Sequence, residues 1–194
     1  RSKTEAEALV LRYGREKGLT VSVVRPGFIY GERDRTVLPK LLTNLRRGTF
    51  AYFGSGDQAL NCIYVKNLVH GIFLAAETPD AVGEVFNLTD GEPVSKRRFV
   101  GRVAELAGLK PPTRQIPLKV AKFLANLVEG IAKLRKAKNP PIINKARYKF
   151  LGLNLDYSIE KARRLLGYKP PFTFEQGIER AMADVTKPAS PTRA

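Results

Sequence analysis

Apolar positions Ala6, Leu9, Val10 and Tyr13 fall at helical spacing, which predicts a helix over residues 3–17. Ser2 and Glu5 stand as a capping box at its start, and Gly18 as its stop. The β-branched run Thr20-Val21-Ser22-Val23-Val24 then leads into Arg25-Pro26-Gly27. It is too short for a helix and too apolar for an edge, so it predicts a buried strand. A helix followed by such a strand is half of a strand–helix–strand unit. Residues 37–47 predict a helix beginning near Pro39, because proline suits a first turn. Two short strands, 50–53 and 60–65, flank Gly54-Ser55-Gly56-Asp57-Gln58 and read as a hairpin. Helix 67–77, strand 84–88 and a turn at Asp90-Gly91 follow, and Ser95 caps a helix running to Ala107 before Gly108. Past a break at Pro111-Pro112, the longest helix covers 118–136, and a short helix follows Asn139-Pro140-Pro141. A strand at 153–157, helices at 159–166 and 174–185, and a tail from Pro188 complete the pattern. Helical and extended segments alternate over most of the length, which predicts an α/β architecture over a bundle or a sandwich.

Composition narrows the class. The chain has 194 residues, 43% of them hydrophobic, with one Cys and no Trp, which excludes disordered, fibrous and disulfide-stapled proteins. A single domain of this length can bury roughly two-thirds of its unfolded surface. No run approaches the roughly 20 apolar residues that cross a bilayer. The first 25 residues carry Glu5, Glu7 and Glu16 instead of an apolar signal region, so the cytosol is the expected compartment. Asn87-Leu88-Thr89 matches a glycosylation acceptor in form only. Cys62 has no intrachain partner and sits in a strand pattern, as an inert buried thiol would. The chain opens at Arg1, and its one methionine is Met182, so it reads as a piece of something longer. The net charge of +16 is concentrated in residues 96–149, which hold 15 Lys or Arg against Glu105 and Glu129. Such clustering suits phosphates, acidic headgroups or nucleic acid, and equally a solvated face.

Gly54-Ser55-Gly56-Asp57-Gln58-Ala59 has the form of a dinucleotide fingerprint. That fingerprint works only where the glycines turn a strand into a helix whose N-terminus meets the pyrophosphate. Leu60-Asn61-Cys62-Ile63-Tyr64-Val65 continues as a strand, so the match is rejected. A different set of residues is informative in its order. Ser2-Lys3-x-x-x-Glu7 on a helix, the β-branched strand, then Arg25-Pro26-Gly27-Phe28-Ile29-Tyr30-Gly31 resembles the C-terminal half of extended short-chain dehydrogenases. That family includes nucleotide-sugar epimerases and 3β-hydroxysteroid dehydrogenases. Asn61 to Asn67, Phe86-Asn87-Leu88, Asp90-Gly91-Glu92-Pro93 and the stretch from Glu160 to Tyr168 extend the resemblance over nearly the whole chain.

The resemblance implies the C-terminal part of a Rossmann-type parallel sheet domain plus a smaller, mostly helical substrate-binding lobe. Residues 1–90 would end the core with interleaved substrate elements, 91–187 would form most of the lobe, and 188–194 a tail. It implies NAD or NADP as cofactor and a Tyr-x-x-x-Lys pair on one helical face, whose ammonium lowers the tyrosine pKa and holds the nicotinamide ribose. Lys3 matches the lysine, while the tyrosine would fall two places before Arg1. Ser2 and Glu5 would cap a helix there without any catalysis, which is the plainer reading of Lys3. Pro26, Gly27, Phe28 and Ile29 match the loop that lies against the nicotinamide. Independently, ligands of open parallel sheets sit beyond the strand C-termini, and Gly27 permits close backbone approach. Arg33 and Arg35 could meet an anionic substrate or simply be surface residues. Tyr64-Val65-Lys66-Asn67 and Ile29-Tyr30-Gly31-Glu32 fit the 3β-hydroxysteroid dehydrogenase branch better than the sugar-nucleotide branch, and place Tyr64 and Asn67 among substrate-binding candidates. His70 matches no catalytic position of the family and reads as structural.

Residues 118–138 carry an apolar stripe of Leu118, Ala121, Leu124, Leu127, Val128, Ile131 and Leu134 beside Lys119, Lys122, Lys133, Arg135, Lys136 and Lys138. Such a helix can cover a substrate pocket or lie on an acidic membrane. Three functions follow as expectations. The first is an NAD(P)-dependent oxidoreductase resembling 3β-hydroxysteroid dehydrogenases, acting on a secondary alcohol or ketone, with this chain inert alone. The second is a nucleotide-sugar epimerase or dehydratase, for which Arg33, Arg35 and Arg114 would be diphosphate partners. The third is a basic module for anionic ligands or membrane surfaces; nucleic acid is disfavoured because there is no aromatic-studded strand, zinc ligand set or groove-reading helix. A homodimer is a further expectation from the resemblance.

Overall fold

The computed structural model describes residues 2–134 and 145–187, and the chain divides into two units. The first comprises Arg1–Glu32, Asn61–Glu92 and Tyr157–Ala181, and the second Arg33–Leu60, Pro93–Asp156 and Met182–Ala194. Segment 33–60 therefore belongs with the second unit although it precedes residue 90, and 157–181 returns to the first.

In the first unit, helix α1 (Ser2–Lys17) leads through Gly18, whose φ of 65° only glycine adopts freely, into strand β1 (Val23–Pro26). β1 pairs in parallel with β5 (Val85–Leu88), and β2 (Phe28–Tyr30) with β4 (Cys62–Tyr64). Parallel pairs need a crossover, and α3 (Val65–Glu77), which leads from β4 into β5, lies within the connection that the β1–β5 pair requires. α3 lies close over the sheet because Gly71 has no side chain, where a Cβ would stand 2.5 Å from Leu88 Cδ1. α7 (Glu160–Leu166) closes the core with Ile63, Leu68, Phe86, Leu88, Ile159 and Tyr168. Fully burying a side chain such as Phe86 or Leu88 contributes about 1.5–3 kcal/mol. The strand expected to be buried differs: Val23 and Val24 are half-buried, and Arg25 and Pro26 exposed. Among the described residues β1 has a hydrogen-bonded neighbour on one side alone, β5. The Leu9, Val10 and Tyr13 stripe of α1 is likewise exposed.

In the second unit, α2 (Val37–Arg46) buries Leu38 and Leu42 and starts two residues ahead of Pro39. The Asp34 carboxylate accepts the free amides of Thr36, Val37 and Leu38 at 2.8–2.9 Å and so sets that start. β3 (Tyr52–Phe53) pairs in parallel with β6 (Gln115–Ile116), a strand the pattern did not announce. The expected hairpin across Gly54 to Gln58 is therefore absent, since β3 and β4 have different partners. The loop instead wraps the start of α4 (Lys96–Leu106): Gly56 O accepts from Arg97 N at 2.8 Å, and Gln58 O from Lys96 N at 3.1 Å. Ser95 caps α4 as expected, its Oγ accepting from Arg98 N at 3.0 Å. α5 (Leu118–Leu134) and α6 (Lys145–Gly152) pack together, whereas 153–157 is not a strand. Its ties are Leu155 N to Ala59 O at 3.1 Å and Asn154 Oδ1 to Ala59 N at 2.7 Å, too few for a ladder. α8 (Phe174–Val185) ends the described chain, and the expected tail from Pro188 lies outside it.

Lys96 is 5% exposed, and its ammonium donates to Leu153 O at 2.5 Å. Burial pushes its pKa down to about 8. Because the folded value lies below the ordinary lysine value, the unfolded chain holds this proton more tightly between the two, and stability rises with pH across that window. Urea midpoints should thus increase from pH 8 toward 10, and that rise should flatten in Lys96→Met.

Candidate active site

The carboxyl ends of β1 and β5 share one edge, since the strands pair in parallel from Val23↔Val85 to Pro26↔Leu88. Glu7, in the second turn of α1, accepts from Arg25 Nε at 2.8 Å and from Nη2 at 2.5 Å, using both carboxylate oxygens. The guanidinium holds the Glu7 carboxyl below its ordinary range, chiefly through these hydrogen bonds. Arg25 directly precedes Pro26, so the pair ties the N-terminal part of α1 to the carboxyl end of β1. Lys3 stands one turn before Glu7 on the same helical face, about 6 Å along the axis, and is exposed. The fork thus ties the helix bearing Lys3 to the strand end from which the loop of Pro26, Gly27, Phe28 and Ile29 leaves. That is the edge where open parallel sheets take their ligands.

The loop bridges the two strand pairs. Gly27 N donates to Leu88 O at 2.9 Å, and Phe28 N to Asn61 O at 2.8 Å. Pro26 and Ile29 are exposed, and Gly27 and Phe28 half-buried. A Cβ at Gly27 would stand 2.0 Å from Asn61 O. Glycine is demanded here by the neighbouring main chain. Asn61 itself adopts a left-handed φ of 48° to make that approach.

Behind the loop, Asp90 follows β5 and is buried. Its Oδ1 accepts from Tyr64 N and from Asn67 Nδ2, and its Oδ2 from the Tyr30 hydroxyl, each at 2.8 Å. Burial pushes the Asp90 carboxyl up, against the pull of those donors. Asn67 is fully buried, and its amide is spent on Asp90 and on the main chain of Phe172, whose N donates to Oδ1 at 3.0 Å and whose O accepts from Nδ2 at 2.8 Å. Tyr64 is also fully buried; its hydroxyl donates to Glu32 Oε1 at 2.7 Å, and Lys66 Nζ lies 3.2 Å from the same oxygen. Burial pushes the Tyr64 phenol up to about 12, and pushes the Tyr30 phenol and the Cys62 thiol well above their ordinary values. The Tyr30, Tyr64 and Cys62 groups therefore keep their protons near neutrality and hold the edge in shape.

Tyr64 and Asn67, the substrate-binding candidates, are buried, with their side-chain polar atoms on Glu32, Asp90 and the main chain of Phe172. Asp90, read from the sequence only as a turn residue, is the group they converge on. Its signal was a carboxylate placed directly after an apolar strand, where the main chain of the neighbouring element offers donors. Arg33 and Arg35 open the second unit with exposed side chains, Arg33 at a φ of 63° with its N donating to Asp184 Oδ2 at 2.7 Å. Cys62 is free and buried, and His70 stacks on Tyr168 with ring centroids 6.3 Å apart. Among the described residues no cluster of three His, Cys, Asp or Glu could hold a metal ion.

Exposed Pro26 and Ile29 offer an apolar surface that would suit the nicotinamide end of a dinucleotide, at the strand end to which Glu7 and Arg25 tie the helix carrying Lys3. The phosphate end has no counterpart among the described residues, because the Gly54 loop passes into an extended segment and not into a helix N-terminus. Residues 1–89 match the NAD dependent epimerase/dehydratase family. The chain is 36% identical over 196 residues to the 4-hydroxy-2-methyl-3-oxo-4-farnesyl-3,4-dihydroquinoline-1-oxide ketoreductase of Stigmatella aurantiaca, with 100% of this chain and 58% of that protein covered. It is 32% identical over 186 residues to the 3-beta-hydroxysteroid dehydrogenase of Mycolicibacterium neoaurum, covering 93% and 50%. Among solved structures, that of gox2253 has a TM-score of 0.72 at 27% identity, covering 94% of this chain and 54% of that one. The chain spans about half the length of the curated relatives it matches. The lysine-bearing helix and the strand-end loop both fall within residues 1–89, the part of the chain that matches the NAD dependent epimerase/dehydratase family.

Proposed function

We propose that the chain is part of an NAD(P)-dependent oxidoreductase acting on a secondary alcohol or ketone, in the manner of a 3β-hydroxysteroid dehydrogenase. The observation that carries this reading is the Glu7–Arg25 fork, which ties the helix bearing Lys3, one turn beyond that residue, to the strand end from which Pro26 to Ile29 leaves. NAD or NADP, when bound, supplies hydride exchange with the carbinol carbon. Lys3 holds the ribose beside the nicotinamide, and Pro26, Gly27, Phe28 and Ile29 border the ring. The ammonium of Lys3 also favours the ionised form of a phenol one turn earlier, whose position lies ahead of Arg1. Arg33 and Arg35 present exposed guanidinium groups to polar parts of a substrate, while Tyr64 and Asn67 act through Glu32 and Asp90. A cytosolic setting, a homodimer, and peripheral membrane contact through 118–138 belong to the same proposal. Among the described residues no helix is long and apolar enough to cross a membrane.

A second reading, a nucleotide-sugar epimerase or dehydratase, draws on a cavity of about 220 Å³ in the second unit. Phe50 and Leu45 wall it beside Pro111 and Pro112, and Lys110 and Arg114 border it. An aromatic face with two cations suits a nucleoside diphosphate. A substrate panel decides between the two, run on the chain joined to the roughly 150 residues that precede it in its reading frame, a length typical of one domain. Hydroxysteroids and other apolar secondary alcohols should reduce the nicotinamide, with no new product from UDP-sugars. A UDP-sugar product without alcohol turnover selects the epimerase. The 194 residues alone should turn over neither; alcohol oxidation by them alone contradicts the proposal.

A further inference from the structure

Helix α1 carries two pairs in which a base precedes an acid by four residues, Lys3 with Glu7 and Arg12 with Glu16. Side chains so spaced stand on one helical face with their Cβ atoms about 5–6 Å apart, and opposite charges there attract. Arg12 and Glu16 do pair, Nε to Oε1 at 3.9 Å, although both side chains are more than half exposed. Lys3 and Glu7 do not: among the described residues Lys3 has no ion-pair partner, and both Glu7 oxygens face the Arg25 guanidinium. What separates the two pairs is Arg25. Its planar fork meets both carboxylate oxygens at once, whereas an ammonium on a flexible stem acts as a point charge. The Glu7 side chain is also 20% exposed against 56% for Glu16, so a released Glu7 charge would be less screened by water.

We infer that Arg25 is a positioning residue that acts through Glu7: it holds the Glu7 carboxylate off Lys3 and so keeps that ammonium unpaired. What the free ammonium is for rests on the role proposed above for Lys3; that it is free does not. A fork that merely fastens α1 to β1 loses the same contact whichever partner is changed, so Arg25→Met and Glu7→Gln would cost alike. A fork that restrains Glu7 makes them unequal. Glu7→Gln leaves no carboxylate beside Lys3, whereas Arg25→Met releases one.

Two readouts test this. In the 194-residue chain, limiting acetic anhydride followed by peptide mass spectrometry gives the acetylation of Lys3 relative to Lys17, at the far end of the same helix. That ratio should fall about twofold in Arg25→Met, as the released carboxylate engages the ammonium, and return in Arg25→Met/Glu7→Gln. In the chain joined to its preceding residues, kcat for alcohol oxidation should be about three- to tenfold lower in Arg25→Met than in Glu7→Gln, and the double variant should regain the Glu7→Gln value. Urea midpoints of the two single variants should fall alike, since each breaks the one pair. Equal Lys3 acetylation in Arg25→Met and in the double variant overturns the inference. So does a double variant no faster than Arg25→Met, which would give Arg25 a direct contact with substrate or cofactor. Acetylation that responds as expected in a protein that oxidises no alcohol supports the restraint on Glu7 and contradicts the oxidoreductase reading instead.

Discussion

Asp90→Ala should cost about 3–5 kcal/mol of folding stability, the range for removing one partner from a buried charged cluster. The carboxylate receives the main-chain N of Tyr64, the amide of Asn67 and the hydroxyl of Tyr30. Alanine leaves Tyr64 N buried without its acceptor, strips Asn67 Nδ2 of one of its two acceptors, and leaves the Tyr30 hydroxyl on its longer 3.4 Å contact to Phe174 O. Each unsatisfied buried group costs about 1–3 kcal/mol. Whole-domain stabilities run from about 5 to 15 kcal/mol, so the variant should lose most of its margin. Urea titration followed by tyrosine fluorescence and near-UV dichroism measures this. Asp90→Asn keeps one acceptor oxygen and should lose clearly less. A deficit below about 1 kcal/mol for Asp90→Ala would show that the cluster does not organise the first unit.

Local elements were legible where the chain's own spacing decides them. The α1 stripe, the Ser95 cap and the Gly18 and Gly108 stops are one-dimensional signals, and the helices stand where they were expected. Pairing was not legible. Gly54 to Gln58 has hairpin chemistry, yet its carbonyls are taken by the first turn of α4, and β3 finds its partner more than 60 residues on. Residues 153–157 alternate like a strand, yet they meet Ala59 through one main-chain and one side-chain bond and form no ladder. Resemblance singled out Lys3 and the 26–29 loop, because motif order survives where contacts are invisible. The supporting residues were not legible, since nothing local distinguishes Asp90 in a turn from Asp90 as the acceptor of three donors, or Asn67 facing a ligand from Asn67 facing Phe172. The basic continuation of the 118–138 helix, from Arg135 to Lys138, lies outside the described residues.

Loss of catalysis on removing the Lys3 ammonium is the second large effect. A positioned proton-transfer system is worth about 10²–10⁴ in rate, and its acid needs a pKa near the working pH. An ammonium beside a phenol lowers that pKa by favouring the phenolate, and the same ammonium holds the ribose. Lys3→Met keeps the stem and the helix, removes only the charge, and leaves Glu7–Arg25 intact.

The most direct measurement is steady-state alcohol oxidation across pH by Lys3→Met, in the chain joined to its preceding residues, alongside the unsubstituted protein. The account predicts a fall in kcat of at least about 100-fold and an alkaline shift of the pH profile. Activity within about twofold of the unsubstituted protein, at unchanged pH dependence, contradicts it.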